Sequence, residues 1–329
     1  MLKPNAIPEY DIYDILYTGD KQLVIVMPAE HDAIGIKLLL SQDVINFKLE
    51  RCPERHVYIY TSEYDVEYSE TVKLLINGRE IETAVSRYPE FKDEIIMSTL
   101  VKGEEHCIVQ WVEFYLHQGV SRFIIYDNSD ESTLCDVLRT YIDKGQVLLI
   151  RWNYIYLRPV SGFSAQQTQQ THSIHAFRSS KYIGMFDVDE YLNLQKDGDI
   201  NTFFENIIND QGLNTGEIGA FQLLSRQFYN PNKLDISGNK FLKIFNCDPV
   251  RLHYQEKCFA IPRNVNIFCV HKITSGKKLH KISPGDGYFN HYWYLSEKHP
   301  TSARPATECP PADTIGTDDS ILRHLRYID

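Results

Sequence analysis

Several things are missing from this chain, and each absence closes off a class of function. No stretch approaches the roughly 20 apolar residues that span a bilayer, and Met1 to Tyr10 lacks the apolar run of a secretory leader. Cysteine is sparse and unpatterned: seven residues, an odd number, with no Cys-x-x-Cys spacing. That fits reduced thiols and speaks against a disulfide framework or a thiolate zinc site. No Asn begins an Asn-x-Ser/Thr sequon, so nothing marks a glycosylated surface. No dense Lys/Arg run appears and the net charge is -10, which excludes a nucleic-acid backbone as the principal partner. Gly-x-Gly-x-x-Gly after the first α/β strand and Gly-x-x-x-x-Gly-Lys-Ser/Thr are both absent, which argues against a dinucleotide oxidoreductase and a P-loop enzyme.

What is present is ordinary globular material: 329 residues, 43% hydrophobic and 24% charged, enough for one large core or two modest ones. Residues 1–93 read as a β-rich accessory module. Short apolar or alternating runs at 21–27, 44–49, 56–60 and 71–76 predict strands, and Asn77-Gly78 predicts a hairpin turn into 79–85.

From residue 94 the rhythm alternates strand and helix. Strands are expected at 95–101, 120–126, 147–150 and 182–186. Between them, 104–118 carries one apolar helical face stopped by Gly119, a second helix ends at Gly145, and a polar helix covers about 165–178. This pattern predicts an α/β domain over 94–299 with a doubly wound sheet, whose ligands sit at the carboxyl ends of its strands. Lys102-Gly-Glu104, Asp127-Asn128-Ser129 and Asp187-Val-Asp189 fall at those ends. Side chains two apart on an extended segment point the same way, so Asp187 and Asp189 can converge on one hard divalent cation while Val188 points inward. A solvated acidic turn is the plainer alternative for an isolated Asp-x-Asp.

Glu104, Glu105, Trp111-Val-Glu-Phe-Tyr115, Gly119-Val120, Phe123 to Ser129, the Gln-rich helix and Phe186-Asp-Val-Asp-Glu-Tyr-Leu192 together resemble the glycosyltransferase family 92 domain. The resemblance is dense from about 97 to 195 and thins out through His291-Tyr292. It implies a GT-A-like mixed sheet and an inverting transfer of a sugar, galactose in several relatives, from a UDP-sugar to a glycan or glycoprotein acceptor. Carried over by position, Glu104, Asp127, Asn128 and Gln169 would serve the nucleotide, although Gln166, Gln167 and Gln170 leave the register of Gln169 open. Asp187 and Asp189 would hold Mn2+ or Mg2+ against the diphosphate. The absence of an anchor sets the chain apart from Golgi relatives. The expected location is therefore cytoplasmic, or the Golgi lumen if an anchor has been removed.

Further along, Glu256 to Pro262 and Ile267 to Lys272 resemble the family's Lys-containing segment and its following His. His271 is the first choice to complete the cation shell and His291 the second, with Lys257 or Lys272 facing the departing diphosphate. Inversion needs a carboxylate to take the acceptor proton. Asp235 and Glu256 are the candidates. Residues 300–329 read as a Pro/Thr/Asp-rich tail ending in a short helix. Competing readings are a catalytically silent glycan-binding or scaffold relative, and a sugar-nucleotide pyrophosphorylase, which would want a Gly-rich phosphate loop absent here.

Overall fold

A computed structural model describes residues 1–41, 43–52, 57–195, 198–230, 235, 238–247, 253–292 and 315–325. The N-terminal segment forms an eight-stranded sheet from β1 (Asp14–Tyr17), β2 (Leu23–Pro28), β3 (Ile36–Leu39), β4 (Val44–Arg51), β5 (Val57–Ser62), β6 (Thr71–Ile76), β7 (Arg79–Ala84) and β8 (Ser86–Arg87). Its order is β7-β6-β3-β4-β5-β2-β1-β8. Asn77 and Gly78 both take positive φ, 48° and 86°, the backbone that a tight two-residue hairpin requires. Strands β1, β3 and β8 were not foreseen. Each is short, and β8 spans two residues, too few for alternation to register.

The second sheet begins with β9 (Ile95–Val101), α1 (Glu105–His117), β10 (Arg122–Asp127), the short helices α2 (Leu134–Val137) and α3 (Arg139–Asp143), β11 (Val147–Arg151), α4 (Ser164–Ala176) and β12 (Tyr182–Met185). The chain continues through β13 (Glu190–Leu194), α5 (Ile200–Asp210), β14 (Ile218–Gln227), β15 (Asn246–Cys247), β16 (His253–Ala260), β17 (Val265–Cys269), β18 (Lys272–Gly276), β19 (Lys278–Lys281) and β20 (Gly287–His291), of which β15 and the β17–β18 hairpin lie outside this sheet. The order is β11-β10-β9-β12-β16-β14-β20-β13, with β19 beside β14. Strands β9 to β12 pair in parallel, and β16 runs antiparallel between β12 and β14, so the sheet is mixed as expected. The chain moves outward from β9 to β10 and β11, then returns to the other side of β9 for β12. That reversal is a topological switch point, where strand ends part and leave a crevice.

Two details shape the sheet. Gly184 lies where a Cβ would meet Met97 Sδ at 2.3 Å and Phe259 Cε1 at 2.7 Å, so β12 can sit this close to its neighbours only without a side chain. The register between β14 and β16 shifts between Leu223 and Ser225. On the edge facing β16 the pairing runs from Ala220 across this bulge to Ser225, while the opposite edge pairs first with β19, up to Gln222, and then with β20, from Ser225 to Gln227.

Helices α1 and α4 lie in different cores. Trp111, Val112, Phe114 and Tyr115 of α1 pack with Phe123, Phe186 and Tyr191. Helix α4 is buried from Ser164 to His175 in a core shared by the two sheets, which includes Tyr13, Val24, Val26 and Ile59 as well as Ile96, Ile124 and Ile183. Asp14 of β1 is fully buried there. Its carboxylate accepts from Asn5 N, Ile15 N, Ser86 Oγ, Tyr88 OH and His172 Nε2, at 2.6 to 2.9 Å. Burial alone would raise its pKa, but His172 and the hydroxyl donors bring it below the ordinary value.

At the C-terminal end, β21 (Gly316–Thr317) pairs with β15, and α6 (Leu322–Leu325) docks on the domain through Ile321 and Leu325. The expected tail between 300 and 314 lies outside the described residues. No helix among the described residues is long and apolar enough to cross a membrane.

Candidate active site at the switch point

Residues 186–189 join β12 to β13. The segment expected to be an extended strand end is a turn: Glu190 N donates to Asp187 O at 3.1 Å, and Asp187 N donates to Glu190 Oε2 at 2.9 Å. Val188 is buried, as anticipated. The turn sends the two aspartates in different directions. Asp187, half-buried, accepts from Gln166 Nε2 at 3.0 Å and Lys257 Nζ at 2.5 Å. Asp189 faces His291, whose Nε2 stands 3.4 Å from its Oδ2.

His291 arrives there by strand pairing, because Glu190 and His291 are directly opposed on β13 and β20. Its Nδ1 is 3.7 Å from Glu190 Oε1. Asp189, Glu190 and His291 each offer one ligand atom, and these atoms lie within 4.8 Å of one another. Two carboxylate oxygens and an imidazole nitrogen form a donor set suited to Mn2+, and to Mg2+ if water or phosphate oxygens complete the shell. The chemistry of the residues fits the implied cation.

The electrostatics of this cluster are strongly coupled. Burial pushes Glu190 up to about 7, against the downward pull of the Lys257 charge. Lys257 is itself buried, which would lower its pKa. Asp187 and Glu190, at 2.5 and 3.1 Å from Nζ, more than reverse this and keep it firmly cationic. Burial likewise lowers His291, and the Asp189 charge brings it back above its ordinary value. Acids this crowded need positive charge among them. In this arrangement Lys257 supplies part of it.

Glu104 stands at the start of α1, one turn from Cys107. The Cys107 thiol is pushed up by burial and then by the charges of Glu104 and Asp189. The Tyr156 hydroxyl is raised by burial and then by Asp187, Glu104 and Asp189. Both groups therefore sit within the field of the β9 and β12 strand ends, which the fold has brought together. Tyr156 also reaches Gln166 Oε1 at 3.4 Å. Sequence reasoning missed this tyrosine because it stands in the β11–α4 connection, where nothing marked it off from its aromatic neighbours.

At the end of β10, Asp127 is fully buried and accepts from Ser129 N at 3.0 Å and Arg151 Nη1 at 2.8 Å. The Nδ2 of Asn128 donates to the carbonyls of Trp152 and Tyr154 at 2.5 and 2.8 Å, which fixes the amide orientation. Its Oδ1 is buried without a hydrogen-bond partner among the described residues.

Other candidates lie elsewhere. Gln169 points into the interior, donating to Ser98 Oγ at 2.8 Å and Ser173 Oγ at 3.2 Å. The glutamine that reaches the acidic turn is Gln166, one helical turn earlier. The His271 ring donates through Nδ1 to Glu256 O at 2.8 Å, and His271 is not a member of the Asp189–Glu190–His291 group. Asp235 is exposed and ion-paired with Lys240, and Glu256 is half-buried on β16 beside Lys257.

A mixed α/β sheet with a buried charged cluster at its switch point defines the class of fold. The model of glycosyltransferase family 92 matches residues 97–325, and the chain belongs to that family. Among curated relatives, a glycosyltransferase family 92 protein of Oryza sativa subsp. japonica is 21% identical over 204 residues, covering 60% of this chain and 32% of the relative. One from Ricinus communis is 21% identical over 215 residues, covering 62% of this chain and 35% of the relative. The match thus spans about a third of their length. Among solved structures, the S. aureus TarS fragment 1–349 gives a TM-score of 0.35 at 11% identity, covering 60% of each chain. Glucosyl-3-phosphoglycerate synthase from Mycobacterium tuberculosis, in complex with Mn2+, UDP and glucosyl-3-phosphoglycerate, gives 0.23 at 14% identity, covering 46% of this chain and 47% of that one. Likenesses this distant carry no argument about the chemistry of this chain.

Proposed function

We propose that this chain is a metal-dependent, inverting glycosyltransferase that moves a sugar, galactose being the first candidate, from a UDP-sugar to a hydroxyl of a glycan or glycoprotein acceptor. The observation that carries this reading is the meeting of Asp187, Asp189, Glu190, Lys257 and His291 at the switch point, together with the family membership.

In this reading Asp189, Glu190 and His291 hold the cation, with Asp187 beside them. A bound Mn2+ or Mg2+ supplies positive charge to the diphosphate as it leaves. Lys257, held cationic by its carboxylate neighbours, fixes Asp187 and Glu190 in place and adds a second positive centre near the leaving group. Glu104, Asp127 and Asn128 line the nucleotide side, and Gln166 orients Asp187. Asp235 and Glu256 are the acids proposed to accept the acceptor proton.

The test is a panel of nucleotide-sugars read by UDP release, with and without EDTA. We expect release from a UDP-sugar that EDTA abolishes, and a rise in melting temperature with UDP and Mn2+ that Asp189→Ala removes. No release from any donor, with melting unchanged by UDP and Mn2+, would sink the proposal.

A further inference from the structure

The two sheets meet along a seam that carries a pair of thiols. Cys52 directly follows β4 of the N-terminal sheet, and Cys269 ends β17 of the α/β domain. They are 217 positions apart in sequence, and their sulfurs lie 3.8 Å from each other. Both residues are about 1% exposed. The hairpin that carries Cys269 is pinned from two sides. Glu50, two residues before Cys52, accepts from Asn266 Nδ2 at 3.2 Å and from Ser275 Oγ at 2.7 Å, which ties β4 to the β17–β18 hairpin. On its other side the hairpin is held to α4, with Thr171 Oγ1 donating to Phe268 O and His175 Nε2 to Asn266 O, both at 2.8 Å. The approach of the two sulfurs is therefore set by the docking of β4 on the hairpin, not by a chance rotamer.

We propose that Cys52 and Cys269 form a disulfide that links the N-terminal sheet covalently to the α/β domain whenever the chain meets an oxidising thiol–disulfide pool. A disulfide needs the sulfurs to close to about 2.05 Å. The remaining approach is roughly 1.8 Å, and closure of the bond requires rotation of the two side chains about their Cα–Cβ bonds to supply it. With oxidised glutathione as oxidant, one thiolate attacks a glutathione sulfur and expels the first glutathione thiolate. The second cysteine thiolate then attacks the sulfur of the first in the mixed disulfide and expels the other. Two cysteine thiols are oxidised, one glutathione disulfide is reduced to two thiols, and the two cysteine protons end on the released glutathione. Because both sulfurs are buried, the reaction waits on opening of the seam or occurs as the chain folds. The state of the pair then reports the redox character of the compartment where the protein matured.

The proposal is independent of glycosyl transfer and is tested on the full chain. The protein is brought to equilibrium in a series of reduced and oxidised glutathione buffers, alkylated, digested and mapped without reduction. The expected result is a peptide pair joined through Cys52 and Cys269 that dithiothreitol separates. It should be accompanied by a rise of several degrees in melting temperature, because a link closing so long a loop constrains the unfolded chain. Cys52→Ser and Cys269→Ser should each abolish the link and the rise, whereas Cys135→Ser, which removes the half-buried thiol, should alter neither. Cys52 and Cys269 remaining as reduced thiols, or ending as separate glutathione adducts in the most oxidising buffer, would overturn it. The peptide map of the unsubstituted protein decides between these outcomes whether or not the serine variants fold.

Discussion

Helices α1 and α4 are both 13 residues long and serve the same sheet, yet they are built on opposite principles. Helix α1 presents Trp111, Phe114 and Tyr115 to a core and leaves His106 and His117 in water. Helix α4 presents glutamine, threonine, serine and histidine and is buried along almost its whole length, because it lies between two sheets with β2, β5, β9 and β17 packed against it. Polar side chains survive such burial when they find partners. Ser173 donates to Tyr126, Tyr126 OH shares a hydrogen bond with His172 Nδ1, and His172 Nε2 donates to Asp14, a chain of bonds from 2.7 to 3.0 Å that crosses from the α/β sheet into the N-terminal sheet. What separates a surface helix from a central one here is the supply of partners, not hydrophobicity.

The comparison can be broken most forcefully at one ring in each helix. Trp111→Ala should lower stability by about 3–5 kcal/mol through the cavity it leaves. His172→Ala should lower it by a similar 3–5 kcal/mol because a buried carboxylate loses its main partner. The two losses should differ in their acid limbs. The folded pKa of Asp14 is depressed below 3.8, so its contribution is complete above the unfolded value and drains away as pH falls through the folded one. His172→Ala removes the bond and charge that depress it and should flatten this limb, while Trp111→Ala should leave its shape alone. Urea denaturation between about pH 3 and 7 checks this, and parallel acid limbs for all three proteins would defeat the network account.

A smaller contrast comes from single contacts. Thr171→Val strips Phe268 of a side-chain partner and should destabilise by about 1–3 kcal/mol. Ile108→Val in α1 should cost about 0.5–1.5 kcal/mol, so chemical denaturation should rank the polar substitution as the worse one. The least effect on stability and the most informative separation lie within α4. Gln166→Ala should leave melting almost unchanged but weaken the stabilisation given by UDP with Mn2+. Gln169→Ala should lower melting and leave that stabilisation intact. The reverse pattern, read by thermal shift, would return Gln169 to the site.

The parts of this molecule legible in its sequence are those with one dominant physical signal. Strands β9, β10, β11 and β12 are apolar runs between turns, and α1 shows a single apolar face with Gly119 at its end, so the carboxyl ends of these strands could be placed in advance, although their order, and with it the switch point, could not. The crowding of Asp187, Asp189 and Glu190 made the acidic cluster visible, although as an extended strand end and not as a turn, and Lys257 and His291 were both among the residues named. Their joint geometry was not visible, because the pairing of β13 with β20, separated by nearly a hundred residues, decides that His291 faces Asp189. Helix α4 hid its register for a different reason: with polar side chains all round, no face declares itself, and only contacts distinguish Gln166 from Gln169. Asp14 was overlooked because an acid in a short strand looks solvated until its five donors are seen.

The bulge in β14 has a mechanical meaning for the acidic turn. Three strands, β16, β14 and β20, separate β12 from β13, a span of about 19 Å in a flat sheet at roughly 4.8 Å per gap. The five steps from Met185 to Glu190 reach at most about 17 Å when fully extended, and they contain a turn. The turn is thus a chord too short for a flat sheet, and the strands between must form an arc. The shift between Leu223 and Ser225 is where that arc can bend. The span between the two ends of the cluster, Asp187 on one side and His291 on the other, is therefore a property of curvature, set by the strands between them.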